Sequence, residues 1–198
     1  MRLARLMLLS LGVGLAGLPA AAQSLHGLTL GAPIPEAMPI ADDTAVQAPY
    51  TRSVWAALDG VMMTAIADSE TGGVVFIELR PAEPGPVATG LGGLTFAETT
   101  RADLHARFGS EGIVFEDVGR GGIFGDLAAY FTTYEVADSD TVLSFVTIEP
   151  LDAADESSAA RSTLDSIVIA QDAYLTEVWG LNRGSLPGYA PIADPFDG

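Results

Sequence analysis

The chain has 198 residues, and its nine basic side chains, all arginine, face 26 Asp and Glu for a formal net charge of −17. So acidic a balance argues against a nucleic-acid partner, whose phosphates demand a basic surface, and against anionic membrane surfaces. There is no cysteine, so no disulfide can compensate for a small core and stability has to come from packing.

Arg2 and Arg5 precede an apolar run from Leu6 to Leu18 that closes in Pro19-Ala20-Ala21-Ala22. The small residues at 20 and 22 suit a signal peptidase, so residues 1–22 read as a signal peptide cut after Ala22. The run is shorter than the ~20 residues that span a bilayer. No cysteine follows it to carry a lipid, and no later stretch is long and apolar enough for a transmembrane helix. The expected product is exported to a bacterial periplasm and begins near Gln23, with seven arginines against 26 acidic residues.

A first unit is expected over 23–80. Leu25 to Leu30 is a short apolar stretch, and Pro33, Pro35 and Pro39 then limit any helix to a turn or two. Strands at 54–58 and 61–67 flank Asp59-Gly60, a tight-hairpin signal, and a turn over 68–73 leads to a strand at 74–80. In that strand Val75, Ile77 and Leu79 share one face while Phe76, Glu78 and Arg80 share the other. Residues 81–90, opening with Pro81-Ala82-Glu83-Pro84-Gly85-Pro86, form a linker.

A second unit is expected over 91–180. Thr100 and Asp103 form a capping box with aspartate in place of glutamate, Gly109 offers a stop, and Leu104 and Phe108 share a face, so a helix runs from Thr100 to Phe108. Strands are expected at 113–118, 127–136, 142–149 and 164–170, with an exposed acidic loop over 151–162. In the strand at 142–149, Ser144, Val146 and Ile148 are assigned to the core face, and Phe145 to the polar side, where it matches Phe76. The segment 181–198, with prolines at 187, 191 and 195, cannot be a regular central strand and is expected as a tail that either wraps the domain or reaches for a partner.

The two units repeat. Gly27-Leu28-Thr29-Leu30 returns as Gly93-Leu94-Thr95-Phe96, Ala67-Asp68-Ser69-Glu70-Thr71 as Ala137-Asp138-Ser139-Asp140-Thr141, and each second motif leads to an apolar run closed by proline. The expected fold is therefore α+β: two tandem repeats, each a short helix packed on an antiparallel β-meander. With a glycine-led segment before a helix that ends in glycine, the architecture resembles the beta-lactamase-inhibitor-protein fold and the BamE (SmpA/OmlA) family. That resemblance covers the architecture of most of the mature chain and implies a small repeated module of the bacterial envelope. It transfers no binding residue, and this chain lacks both the disulfides of the inhibitor modules and the lipidated cysteine of BamE-type proteins, which resemble one unit rather than two.

Catalytic chemistry has few residues to draw on. The only histidines are His26 and His105, at non-equivalent places in the units. Around Ser110 the first glycine of a G-x-S-x-G elbow is missing. Asp138, Asp140 and Glu149 match three positions of a calcium loop, but Val142 and Leu143 stand where an oxygen ligand and glycine are needed. Gly119-Arg120-Gly121-Gly122 lacks the lysine and hydroxyl of a phosphate loop. No catalytic, cofactor or metal residue is assigned and no cofactor is expected. The function expected is binding of an envelope protein, as scaffold or inhibitor, through Trp55, Phe76, Tyr134, Phe145 and Trp179, because aromatic anchors dominate interfaces. The alternative is a carrier with a small-ligand pocket between the repeats.

Overall fold

The computed structural model describes residues 23–196, so the signal peptide expected over 1–22 lies outside the described residues. The chain opens with a small hairpin, β1 (Ser24–Leu25) and β2 (Leu28–Thr29). His26 and Gly27, both at positive φ, make its turn. A meander follows: β3 (Asp43–Gln47), β4 (Tyr50–Leu58), β5 (Val61–Asp68) and β6 (Val74–Pro81). Between β4 and β5 the pair Asp59-Gly60 takes φ of 51° and 85°, the left-handed turn whose twist suits a tight hairpin, and Leu58 sits opposite Val61.

A second small hairpin, β7 (Val87–Ala88) and β8 (Thr95–Phe96), leads into α1 (Arg101–Phe108). Both halves of the expected capping box form: Thr100 Oγ1 accepts from the Asp103 amide at 3.1 Å, and Asp103 Oδ2 accepts from the Thr100 amide at 2.9 Å. Gly109 ends the helix at φ 76°. Then come β9 (Ile113–Phe115), β10 (Gly121–Phe124), β11 (Leu127–Glu135) and β12 (Thr141–Pro150). A 3-10 turn and the single-turn α2 (Ser158–Arg161) lead to β13 (Thr163–Gln171), α3 (Asp172–Trp179) and β14 (Arg183–Ser185).

The expected two helix-plus-meander repeats are not what these elements make. The chain is mostly β, with 47% of residues in strands and 13% helical. Ten strands form one antiparallel sheet in the order β14-β9-β11-β12-β13-β6-β5-β4-β3, with β10 beside β11. Two physical reasons account for the difference. In the first unit the prolines at 33, 35 and 39 leave turns instead of a helix, as in the bond from the Met38 amide to the Pro35 carbonyl. And β13 inserts between β12 and β6, pairing Ile167 with both Phe145 and Leu79, so the two meanders share one sheet and one core.

Cross-strand partners lie on the same face of a sheet. Leu79, Ile167 and Phe145 are partners, as are Glu78, Val168 and Ser144. The core face therefore carries Trp55, Met63, Ile77, Leu79, Ile167, Leu143 and Phe145, covered by Leu28, Phe96 and α1 through Leu104. Phe145 thus belongs to the core and not to the polar side, while Ser144, Val146 and Ile148 face the other way with Phe76. The Phe145 ring stacks on Phe108 at 5.3 Å and meets Tyr134 edge-on.

The two aspartate turns occupy corresponding places, between β5 and β6 and between β11 and β12, but are built differently. Asp68 Oδ1 accepts from the amides of Glu70 and Thr71, whereas in the second turn Ser139 Oγ accepts from the Thr141 amide and Asp138 takes positive φ.

The acidic segment after β12 is more ordered than an open loop. Arg161 Nη2 reaches Asp155 at 2.9 Å, the Ala153 carbonyl at 2.5 Å and the buried Glu149 at 3.4 Å. The tail folds back along β11: the Ile192 amide donates to the Glu135 carbonyl, and the Ala137 amide to that of Ile192. Gln23 is buried beneath this tail, its Nε2 donating to Asp194 at 3.0 Å and its Oε1 accepting from Thr141 at 2.8 Å.

Candidate binding groove

The second face of the sheet is only partly covered. Helix α3 turns back from the end of β13 and buries Leu175 against Val142, Val168 and Ala170. Beside it lies a groove of about 460 Å³. Its floor is Val146 and Ile148 of β12, Ala129 and Phe131 of β11 and Val168 of β13, its walls are Phe76, Phe124 and Trp179, and its far end carries Glu78, Arg80 and Asp165. It crosses the seam between β6 and β13, so both halves of the sequence contribute.

Alternation puts each of these side chains where it is. Phe76, Glu78 and Arg80 are two apart on β6 and point away from the core, as do Leu127, Ala129 and Phe131 on β11. At 124 the β10–β11 hairpin carries Phe124 to the rim, where its side chain is 60% exposed, and the neighbouring Ile123 is 67% exposed. Trp179 is fixed by an edge contact with Phe115 at 5.5 Å. Phe76 is fixed by an edge contact with Tyr174 at 5.7 Å. At the charged end Arg80 Nε donates to Glu78 Oε1 at 3.0 Å, while its Nη2 stays 3.7 Å from Asp165 Oδ2, beyond hydrogen-bond distance.

Of the five aromatic residues singled out in the sequence, the structure brings two to this groove, Phe76 and Trp179. The other three are in the core. Trp55 is buried and donates its indole N–H to the Pro39 carbonyl at 2.8 Å. Tyr134 is fully buried, and its hydroxyl donates to the Ser110 carbonyl at 2.8 Å. Burial holds that hydroxyl far above the ordinary tyrosine range. Phe145 has no exposed surface. Sequence reasoning passed over Phe124, Phe131 and α3 itself. The signal for α3 was present in Tyr174, Leu175, Val178 and Trp179, which follow the helical spacing i, i+1, i+4, i+5 and are closed by Gly180.

The residues weighed for catalysis sit apart. His26 Nε2 donates to the Thr89 carbonyl at 3.1 Å. His105 lines a separate hollow with Ser110, Glu111 and Arg120. Burial lowers the His105 pKa, so the neutral ring is favoured. Asp140 just precedes β12 and Glu149 lies near its far end, about 30 Å apart at the rise of an extended strand, so they cannot share an ion. Asp155 is engaged internally: the Ser157 hydroxyl and amide, with Arg161, hold its carboxyl down to about 2. Among the described residues there is no group of three or more His, Asp or Glu placed to hold a metal ion. Nor is any helix among them long and apolar enough to cross a membrane. No family model, curated protein or solved structure matches the chain.

Proposed function

We propose that the protein is an exported, non-enzymatic module of the bacterial envelope that binds a segment of another protein in the groove of its second sheet face. One observation carries this reading: an apolar floor of Val146, Ile148, Ala129 and Phe131 continues to a rim where Phe124 is 60% exposed. A concave, mostly apolar groove with a few polar groups at one end is the usual form of a binding site, and the exposed ring at its rim offers an incoming group its first contact. Aromatic walls such as Phe76 and Trp179, each seated against a neighbouring ring, are pre-organised anchors. The test sets the mature protein against Phe124→Ser, both immobilised and challenged with periplasmic extract at low and high salt. A partner retained by the wild type and lost by the variant is expected. Identical profiles for the two proteins overturn the reading.

The size of the groove favours one second reading, a carrier of a small apolar ligand, since about 460 Å³ falls within the range of small-molecule sites. Stabilisation of the wild type but not of Phe124→Ser by a simple apolar amphiphile in a thermal-shift titration supports it. No shift at millimolar ligand removes it.

A further inference from the structure

Resting on the protein-binding reading, we infer that the segment the groove takes is cationic as well as apolar: a Lys- or Arg-bearing stretch whose apolar side chains lie on the Val146 and Phe131 floor and whose cation meets Glu78 and Asp165. Charge selects this occupant. The groove's end holds two carboxylates against the single guanidinium of Arg80, and only Glu78 is within hydrogen-bond distance of it. Asp165 and Glu78 keep about a quarter of their side-chain surface open, 26% and 27%, so each has a side free for an incoming donor. The chain's net charge of −17 extends the same field outward, repelling an acidic segment and drawing in a basic one. A carboxylate-headed ligand would have to compete with two resident carboxylates for Arg80.

Size and wall chemistry narrow the occupant further. A volume of about 460 Å³ admits a few side chains, not a folded surface, so the occupant is a segment. Four of the twelve lining residues are Phe76, Phe124, Phe131 and Trp179, whose ring faces accept cations as well as apolar groups. An arginine or lysine suits both components of the site, its aliphatic stem on the rings and its charged head at the carboxylates.

The test uses the mature protein and three labelled, end-capped peptides that share one Phe/Leu pattern and differ only in carrying two Arg, two Gln or two Glu. Anisotropy titrations at low salt are expected to rank them Arg, then Gln, then Glu, with the gap closing as salt rises. The double variant Glu78→Gln/Asp165→Asn is expected to weaken the Arg peptide about five- to tenfold and to change the Gln peptide by less than about twofold, so that the Arg-over-Gln preference shrinks. Phe124→Ser is expected to weaken both. If the Gln peptide binds as tightly as the Arg peptide, the cationic occupant is refuted while the groove reading stands. If the Arg peptide is preferred but indifferent to the double variant, the preference comes from overall acidity and the assignment to Glu78 and Asp165 is refuted. If no peptide binds, or Phe124→Ser changes none of them, the protein-binding reading fails and the inference with it.

Discussion

Replacing Phe145 with alanine separates two phenylalanines that the sequence makes equivalent. Phe145 is fully buried between Phe108 at 5.3 Å and Tyr134 at 6.3 Å, and the strands on either side hold it too rigidly for the space to collapse. Truncating such a ring costs about 3–5 kcal/mol, from lost transfer energy plus the cavity, and each ring pair adds about 0.5–1.5 kcal/mol beyond buried area. A loss near 4 kcal/mol is expected, a large share of the ~5–15 kcal/mol that holds a typical domain folded. With a urea m-value of about 2–3 kcal/mol/M, that moves the unfolding midpoint down by roughly 1.3–2 M. Phe76, only partly buried at the groove wall, should lose less than half as much when cut to alanine. Urea titrations of both variants, followed by far-UV circular dichroism, make the comparison. A Phe145→Ala midpoint within ~0.4 M of wild type, or a Phe76→Ala loss as large, refutes the face assignment.

Gly112 stands at φ 87°, and a Cβ there would lie 2.1 Å from the Thr133 carbonyl oxygen, so Gly112→Ala should break the β9–β11 contact and yield little folded protein; a variant with wild-type thermal stability contradicts this. Thr100→Ala removes one half of the capping box and leaves the Asp103 amide without its acceptor, for a loss of about 1 kcal/mol in a denaturant titration. For His105 the folded state favours the neutral ring, so the unfolded chain binds its proton first as pH falls. The resulting destabilisation sets in as pH drops through the ordinary histidine value of about 6.5 and levels off below the lowered folded value. Wild type should therefore lose ground to His105→Gln between pH 7.5 and pH 5.5; a constant difference between their urea midpoints contradicts the burial argument.

Local signals in the sequence predicted local structure well. Asp59-Gly60 makes its hairpin, and Thr100, Asp103 and Gly109 bound their helix, because each depends on backbone groups a few residues away. Faces were harder to read. In Leu143-Ser144-Phe145-Val146-Thr147-Ile148 both faces carry large apolar groups, Leu143 and Phe145 in the core and Val146 and Ile148 in the groove, so alternation alone gives no direction. The edge strand β3 went unseen because all five of its residues are exposed and no face is marked. Nothing local announces that β13 pairs with β6, a contact that joins residues about 90 apart and turns two expected modules into one sheet. The groove inherits that difficulty, since Phe76 and Trp179 meet only through the seam this pairing creates.

The clasp between Gln23 and Asp194 has a topological consequence. One side-chain hydrogen bond of 3.0 Å links positions 171 residues apart in sequence, so the described fold is close to a closed ring. A covalent bridge of a few residues there would complete the ring without reshaping the sheet, and the exposed pair Glu83-Pro84 is a natural place to reopen it. A protein rewired in this way would begin with β7 and end with β6. The two strands flanking the β6–β13 seam would then be joined through the former termini, while the groove above them kept every residue that lines it.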